Sequence, residues 1–170
     1  AHKRRIVISL SLLFFTNSGR VYRAKGYEIP EYGRTAKGIP IINLLGIDSS
    51  ETIQAVIAVN GKAEDGQFLF FVTKKGTVKR TTVTAFSNIR ANGLIAIGLR
   101  EGDELVNVMS TEGDETIIIG THDGYSVTFK EEAVRDMGRT ASGVRGIRLR
   151  DEDYVIGSAV LNEEQEVLVI

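Results

Sequence analysis

The residues that could carry covalent or acid–base chemistry in this chain are few. It has two histidines, His2 and His122, and no cysteine, which removes thiol catalysis and cysteine-based zinc sites and leaves little for histidine-dependent proton transfer. No Ser/His/Asp set is convincing on that inventory, and no pair of carboxylates is placed as acid–base work would need. Gly33 to Gly38 has the glycine spacing of a phosphate-binding loop, but Ile39 stands where a lysine must reach the phosphates. Asp151-Glu152-Asp153 and Asp114-Glu115 carry oxygen ligands for a hard cation; without a Gly-spaced ligand loop they read as acidic turns. His122, next to Asp123, reads as a turn residue. What remains is charge in bulk: 21 Lys+Arg against 22 Asp+Glu, a formal net charge of −1. Taken whole, that balance argues against a nucleic-acid binder, and the default is an intracellular binding protein.

The elements that must position these side chains come from an internal repeat. Leu12-Leu13-Phe14-Phe15-Thr16-Asn17-Ser18-Gly19, Leu69-Phe70-Phe71-Val72-Thr73-Lys74-Lys75-Gly76 and Ile117-Ile118-Ile119-Gly120-Thr121-His122-Asp123-Gly124 share one pattern. Arg34, Arg90 and Arg139 follow the last glycines at 15, 14 and 15 residues, and Gly38, Gly93 and Gly143 come a further 4, 3 and 4 on. Leu44, Leu99 and Leu149 each lie six residues beyond. The pattern predicts four strands per unit. An apolar strand ends in a hairpin turn whose glycine supplies positive φ. A return strand begins at Val21-Tyr22-Arg23 or Val78-Lys79-Arg80. A third strand runs over Ile39 to Leu44, Leu94 to Leu99 and Val144 to Leu149, and a fourth over Thr52 to Val59, Glu104 to Met109 and Tyr154 to Leu161. With two prolines and no sustained 3.6-residue period, helices are expected to be short turns at most. Such an all-β array is propeller-like.

The expected units are 12–67, 68–116 and 117–166, with an N-terminal strand or remnant over 1–11 and the start of a fourth unit over 167–170. Ala1 in place of Met and the strand-like end suggest a fragment. Lys3-Arg4-Arg5 before the run Ile6 to Phe15 superficially copies a secretory signal, but the later half of that run recurs twice within the chain, so it reads as a strand, and the run is too short to span a bilayer. Val127 lies three residues after Gly124, where Val21 and Val78 lie two after theirs; this predicts a one-residue β-bulge, with Phe129 or Lys130 in the place of Arg23 and Arg80. Phe14, Phe15, Phe70 and Phe71 read as core rather than base-stacking platforms, because the third copy has isoleucine there.

Divided by the repeat, the charge separates. Residues 19–38 hold five basic and two acidic side chains, 74–100 six and none, and 121–150 six and four. The connectors are the reverse: 45–67 hold one basic and four acidic side chains, and 101–118 and 151–170 each hold none and six. Equivalent positions of stacked repeats lie side by side, so the basic segments predict a continuous stripe able to follow a phosphate backbone. The candidate phosphate contacts are Arg20, Arg23, Lys25, Arg34, Lys37, Lys74, Lys75, Lys79, Arg80, Arg90, Arg139, Arg145 and Arg148. A protein-interaction propeller whose basic rim is incidental is the alternative.

Leu13-Phe14-Phe15-Thr16-Asn17-Ser18-Gly19-Arg20-Val21-Tyr22-Arg23, with Arg34-Thr35-Ala36-Lys37-Gly38-Ile39-Pro40 and the two later copies in register, closely resembles the C-terminal repeat domain of the A subunit of bacterial DNA gyrase. The related subunit of topoisomerase IV has the same repeat. The resemblance implies a β-pinwheel whose neighbouring blades exchange strands and whose basic outer rim binds duplex DNA in support of ATP-dependent negative supercoiling. It also implies a cytoplasmic location, no membrane, and as partners the ATPase B subunit together with the remainder of the A subunit. The domain itself would be noncatalytic and without cofactor, ATP and magnesium belonging to the whole enzyme. The family's full domain has about six blades and an Arg/Gly-rich box. That box is missing here, and Lys3-Arg4-Arg5 lacks the glycines to stand in for it, so reduced or no wrapping is expected. Three units with open strand edges also predict self-association.

Overall fold

In a computed structural model, residues 10–31, 33–60 and 66–161 are described; residues 1–9 of the expected remnant and the start of a fourth unit at 167–170 lie outside them. The described chain is all-β apart from short helical turns, and it forms three antiparallel sheets. Strands β1 (Leu10–Thr16) and β2 (Arg20–Lys25) make the first hairpin, and β4 (Phe68–Thr73) with β5 (Thr77–Thr82) and β8 (Thr116–Thr121) with β9 (Ser126–Lys130) repeat it. Gly19, Gly76 and Gly124 close the three turns at φ 76, 80 and 85°, the left-handed region that a hairpin of this kind needs.

The fourth strands are β3 (Ile53–Asn60), β7 (Leu105–Thr111) and β11 (Val155–Leu161), each paired with the first strand of its own repeat. A carboxylate pins the start of each one to the hairpin turn. Thr16 Oγ1 donates to Glu51 at 3.0 Å, and Thr73 Oγ1 to Asp103 at 2.7 Å. Asp153 accepts the backbone N–H of Asp123 at 3.1 Å and of Tyr154 at 2.8 Å. Burial raises the Asp153 carboxyl, but the bonds from Thr121, Asp123 and Tyr154 outweigh it and hold the group below its ordinary range.

The third element of each repeat does not join its own sheet. Strand β6 (Leu94–Ile95) of the second repeat pairs with β2 of the first, and β10 (Val144–Arg145) of the third pairs with β5 of the second. The sheets therefore run β3-β1-β2-β6, β10-β5-β4-β7 and β11-β8-β9, a pinwheel joined by exchanged strands. Strand β7 lies against both β3 and β11, which places the fourth strands at the hub and the exchanged strands on the outer edge.

Two apolar layers fill the spaces between sheets. Leu13, Phe15, Leu69, Phe71, Phe86 and Ile97 centre the first; Phe70, Val72, Val78, Ile117, Ile119 and Val155 centre the second. Phe14, Phe15, Phe70 and Phe71 are all buried, as core residues rather than stacking platforms.

Two expectations are corrected. Ile39 to Leu44 is not a strand: Ile41–Leu45 forms a one-turn helix, α1, between Pro40 and Gly46. Its counterparts extend because each finds the edge of a preceding return strand; no such edge meets this segment among the described residues, and it folds over the open face of the first sheet, burying Leu45 and Ile47 with Phe14 and Tyr22. There is also no bulge in β9. Its ladder with β8 is unbroken from Thr116↔Lys130 to Gly120↔Ser126, so Ser126 stands where Val21 and Val78 do, and Thr128, not Phe129 or Lys130, replaces Arg23 and Arg80. The register shifts lie on the other side of the first strands, between Phe15 and Thr16, Val72 and Thr73, and Val155 and Gly157. The third repeat differs by substitution, and it does carry less charge at that spot.

Candidate nucleic-acid interface

The basic side chains sit on the return strands, in the hairpin turns and in the segments around the exchanged strands. Their environments differ sharply. Lys25, Arg34, Lys37, Lys75, Arg90, Arg145 and Arg148 are exposed. Lys75 donates to the Glu101 carbonyl at 2.9 Å, and Lys74 pairs with Glu104 at 3.3 Å with the two side chains 45% and 50% exposed. A pair so open to water is held by at most about 1 kcal/mol, so a phosphate can displace the carboxylate.

Four of the candidates are partly committed to joints between sheets. Arg20 donates to the Asn92 carbonyl at 2.6 Å, Arg23 to Ser87 at 2.8 Å, and Arg139 to Ile95 at 3.0 Å. Arg80 lies 4.5 Å over the Phe68 ring and 3.9 Å from the buried Glu131 carboxylate, with its side chain 13% exposed. These guanidiniums shape the rim and have N–H groups left over.

Lys79 does not reach the surface at all, a correction to its expected place among the phosphate contacts. It is 0% exposed, and its ammonium donates to the carbonyls of Ala96 and Gly138 and, at 2.6 Å, of Arg139, while sitting 4.7 Å from the Phe71 ring. Burial, with the Arg139 guanidinium adding to it, lowers Lys79 to about 7. In the first repeat the same position is Tyr22, whose hydroxyl donates to Glu51 at 2.9 Å. The pattern Val-x-Arg that flags the return strand carries no sign of this, because burial at that position is decided by the segments that later cover it: Leu45 and Ile47 for Tyr22, and those holding Ala96, Gly138 and Arg139 for Lys79.

Two basic residues absent from the candidate set belong to the rim. Arg100 and Arg150 each follow the landmark leucine, and both are exposed. Arg150 lies 4.2 Å over the Tyr125 ring, and with Arg148, Tyr125 and Ser126 it lines a shallow depression of about 280 Å³. Their shared distance of one residue beyond Leu99 and Leu149 was the available signal. His122, Asp123 and Asp153 bring ligand atoms within 4.8 Å of one another, but Asp153 is occupied in pinning the turn, and His122 stacks on Tyr154 at 4.8 Å.

Comparison with known proteins gives a consistent result. The family model for the DNA gyrase C-terminal domain, beta-propeller, matches residues 10–60, 67–112 and 115–162. The DNA gyrase A subunit of Streptococcus pyogenes serotype M1 is 60% identical over 132 residues, which is 78% of this chain and 16% of that protein. Its equivalent from Halalkalibacterium halodurans is 58% identical over 137 residues, 81% of this chain and 16% of that protein. The chain thus spans about a sixth of the length of the curated relatives it matches. Among solved structures, the C-terminal domain of DNA topoisomerase IV superposes with a TM-score of 0.86 at 31% identity, covering 92% of this chain and 48% of that one. A DNA gyrase A C-terminal domain gives 0.73 at 23% identity, covering 93% and 50%, a likeness of fold.

Proposed function

The chain belongs to the family of DNA gyrase C-terminal β-propeller domains, and from that premise we propose that it is a noncatalytic module binding duplex DNA along its outer edge. The observation that carries this is the recurrence of exposed cations in every repeat. Exposed cations recur in all three repeats: Lys25 at the end of β2 with Arg34 and Lys37 in the loop before α1, Lys75 in a hairpin turn with Arg90 and Arg100 on either side of β6, and Arg145 in β10 with Arg148 and Arg150 just after it. Cations arranged at the repeat spacing suit a path along phosphates and carry no means of reading bases, so binding is sequence-independent.

In the longer protein the domain would serve the topoisomerase made by the ATPase B subunit with the rest of the A subunit, in the cytoplasm, with ATP and magnesium used elsewhere. Among the described residues no helix is long and apolar enough to cross a membrane. A role within topoisomerase IV is the second reading, favoured by the TM-score of 0.86 to that enzyme's C-terminal domain; the 60% identity to gyrase A sequences favours the first.

The test is a salt titration of binding to mixed-sequence duplex DNA. Log affinity should fall linearly with log salt, with a slope of roughly −4 to −5 if about five phosphates are neutralised. A flat profile, or affinity no different from that of an acidic control protein, overturns the proposal and favours a protein-interaction propeller.

A further inference from the structure

The two exchanged-strand joints touch each other through a loop of the third repeat. Residues 136–141, which lead towards β10, lie against residues 95–98, which run out of β6 and are held on the first sheet by the bond from the Ala96 N–H to the Gly19 carbonyl at 2.8 Å. Gly98 N–H donates to the Ala141 carbonyl at 3.1 Å, and the Arg139 guanidinium to the Ile95 carbonyl at 3.0 Å. The fit leaves no room at position 98: a Cβ there would stand 2.5 Å from the Thr140 carbonyl oxygen and 3.3 Å from Ser142 Oγ. At its start the loop is fixed to β5 of the second sheet, where Met137 N–H donates to the Arg80 carbonyl at 2.9 Å.

Lys79 sits where these pieces meet. Its ammonium, fully buried, donates to Ala96 on the one segment and to Gly138 and Arg139 on the other. We propose that this cluster is a latch that locks the two joints together and that, at neutral pH and above, opens with uptake of a proton by Lys79. Closed, it holds the Arg139 guanidinium against Ile95 and fixes how far the cations around β6 stand from those around β10. Open, it lets the first and second sheets hinge about their joint. The proposal stands on the geometry of the joints and not on DNA binding.

The proton follows from what surrounds the ammonium. Its partners are three carbonyl oxygens and the Phe71 ring, none of them a carboxylate, so its lost hydration is only partly offset. The charged groups on the elements around it are Arg139 and Asp136 on the loop, Arg145 on β10, Arg20 and Arg23 on β2, Arg80 on the other face of β5 and Asp103 beside the hairpin turn; the one that bears on it is the Arg139 guanidinium, a like charge. Burial and that repulsion hold Lys79 at about 7 in the closed latch. A neutral amine keeps two N–H groups, enough for the two nearest carbonyls, Ala96 and Arg139. When the loop lifts, the amine meets water and recovers its ordinary value of 10.5. Between these limits the open form holds one more proton than the closed one, so opening becomes about tenfold rarer with each pH unit, and below about 7 it is independent of pH.

Amide hydrogen exchange of the whole chain, read residue by residue by NMR, tests this at Gly98. Exchange of an opened amide speeds up about tenfold per pH unit, and above about pH 7 the fall in latch opening should cancel that rise. The Gly98 exchange rate should therefore level off between about pH 7 and 9 in the unaltered chain and climb about tenfold per unit in Lys79→Met. A climb in both chains, or levelling in both, overturns the proposal. A second measurement needs no change at Lys79: the titration of its side-chain Cε signal. In the unaltered chain the midpoint should lie at about 7, and His2→Gln with His122→Asn should leave it there. In Gly98→Ala, which pushes the Thr140 carbonyl away without touching Lys79, the midpoint should move up towards 10.5. A midpoint near 10.5 in the unaltered chain, or one that stays put in Gly98→Ala, overturns the latch.

Discussion

The joint where β6 meets β2 sets an aromatic side chain against the exchanged segment, and the joint where β10 meets β5 sets a buried ammonium there. In the first, Phe15, Phe71 and Phe86 meet with ring centroids 5.6 to 6.1 Å apart, and Tyr22 packs against Gly93 while its hydroxyl reaches Glu51. In the second, Val72, Val78 and Ile119 supply a smaller apolar layer, while Lys79, on the opposite face of β5 beside Phe71 of the first layer, donates to Gly138 and Arg139 next to the incoming segment and to Ala96 of the preceding one. One repeat thus makes the same joint in two ways, and position 22/79 is where they part. A side chain long enough to cross the joint must find a polar partner there, and either a carboxylate or a set of carbonyls suffices.

The largest contrast should come from truncation of the aromatic layer. Phe71→Ala is expected to cost about 3–5 kcal/mol in urea unfolding, and Ile119→Val about 0.5–1.5 kcal/mol; equal losses would show that the two layers are equivalent. Lys79→Met should cost about 1–3 kcal/mol, because it orphans buried carbonyls, and Tyr22→Phe about 1–2 kcal/mol from the lost bond to Glu51. Neither change should alter the salt slope of DNA binding. If Lys79→Met lowers that slope, the residue reaches phosphate after all.

The joints should also answer pH in different ranges. Lys79 titrates at about 7 when folded, against an ordinary value of 10.5, so between these limits the unfolded chain holds more protons and stability rises with pH. Lys79→Met should remove that rise. In the first joint burial raises Glu51, but the bonds from Ser18, Tyr22 and Thr16 prevail and lower it overall, so its contribution is lost as pH falls through the folded value. Tyr22 is raised, by burial first and then by Glu51, so its contribution is lost as pH climbs through the unfolded value of 10.0 and beyond. Difference curves of wild type against Lys79→Met and Glu51→Gln measure both. The smallest effects belong to the rim, where Arg148→Ala or Arg150→Ala should each reduce the salt slope by about 0.9 if it contacts one phosphate, and Glu104→Ala should change stability by less than about 1 kcal/mol.

Much of this was legible in the chain. The three hairpins follow from apolar tetrads ending in Thr-x-x-Gly, because strand alternation and a glycine at positive φ are local requirements. The charge pattern was equally plain, since solvated turns keep their charges wherever the strands go. The exchange of β6 and β10 was not readable from Leu94-Ile95 or Val144-Arg145 themselves: a two-residue strand pairs equally well with either neighbour, and the choice lies in a contact between distant parts of the chain. The same holds for Ile39 to Leu44, which has the composition of a strand and becomes a helix turn where no edge receives it. Lys79 escaped because its neighbour Arg80 marks a basic strand, while its own burial depends on carbonyls from exchanged segments further along the chain.

The sequence alone determined the repeat, the hairpins and the division of charge, since each rests on neighbours within a few residues. The tertiary structure decided which sheet each third strand joins, which cations face water and which are consumed in holding the joints, because those outcomes depend on surfaces that exist only once the repeats are stacked.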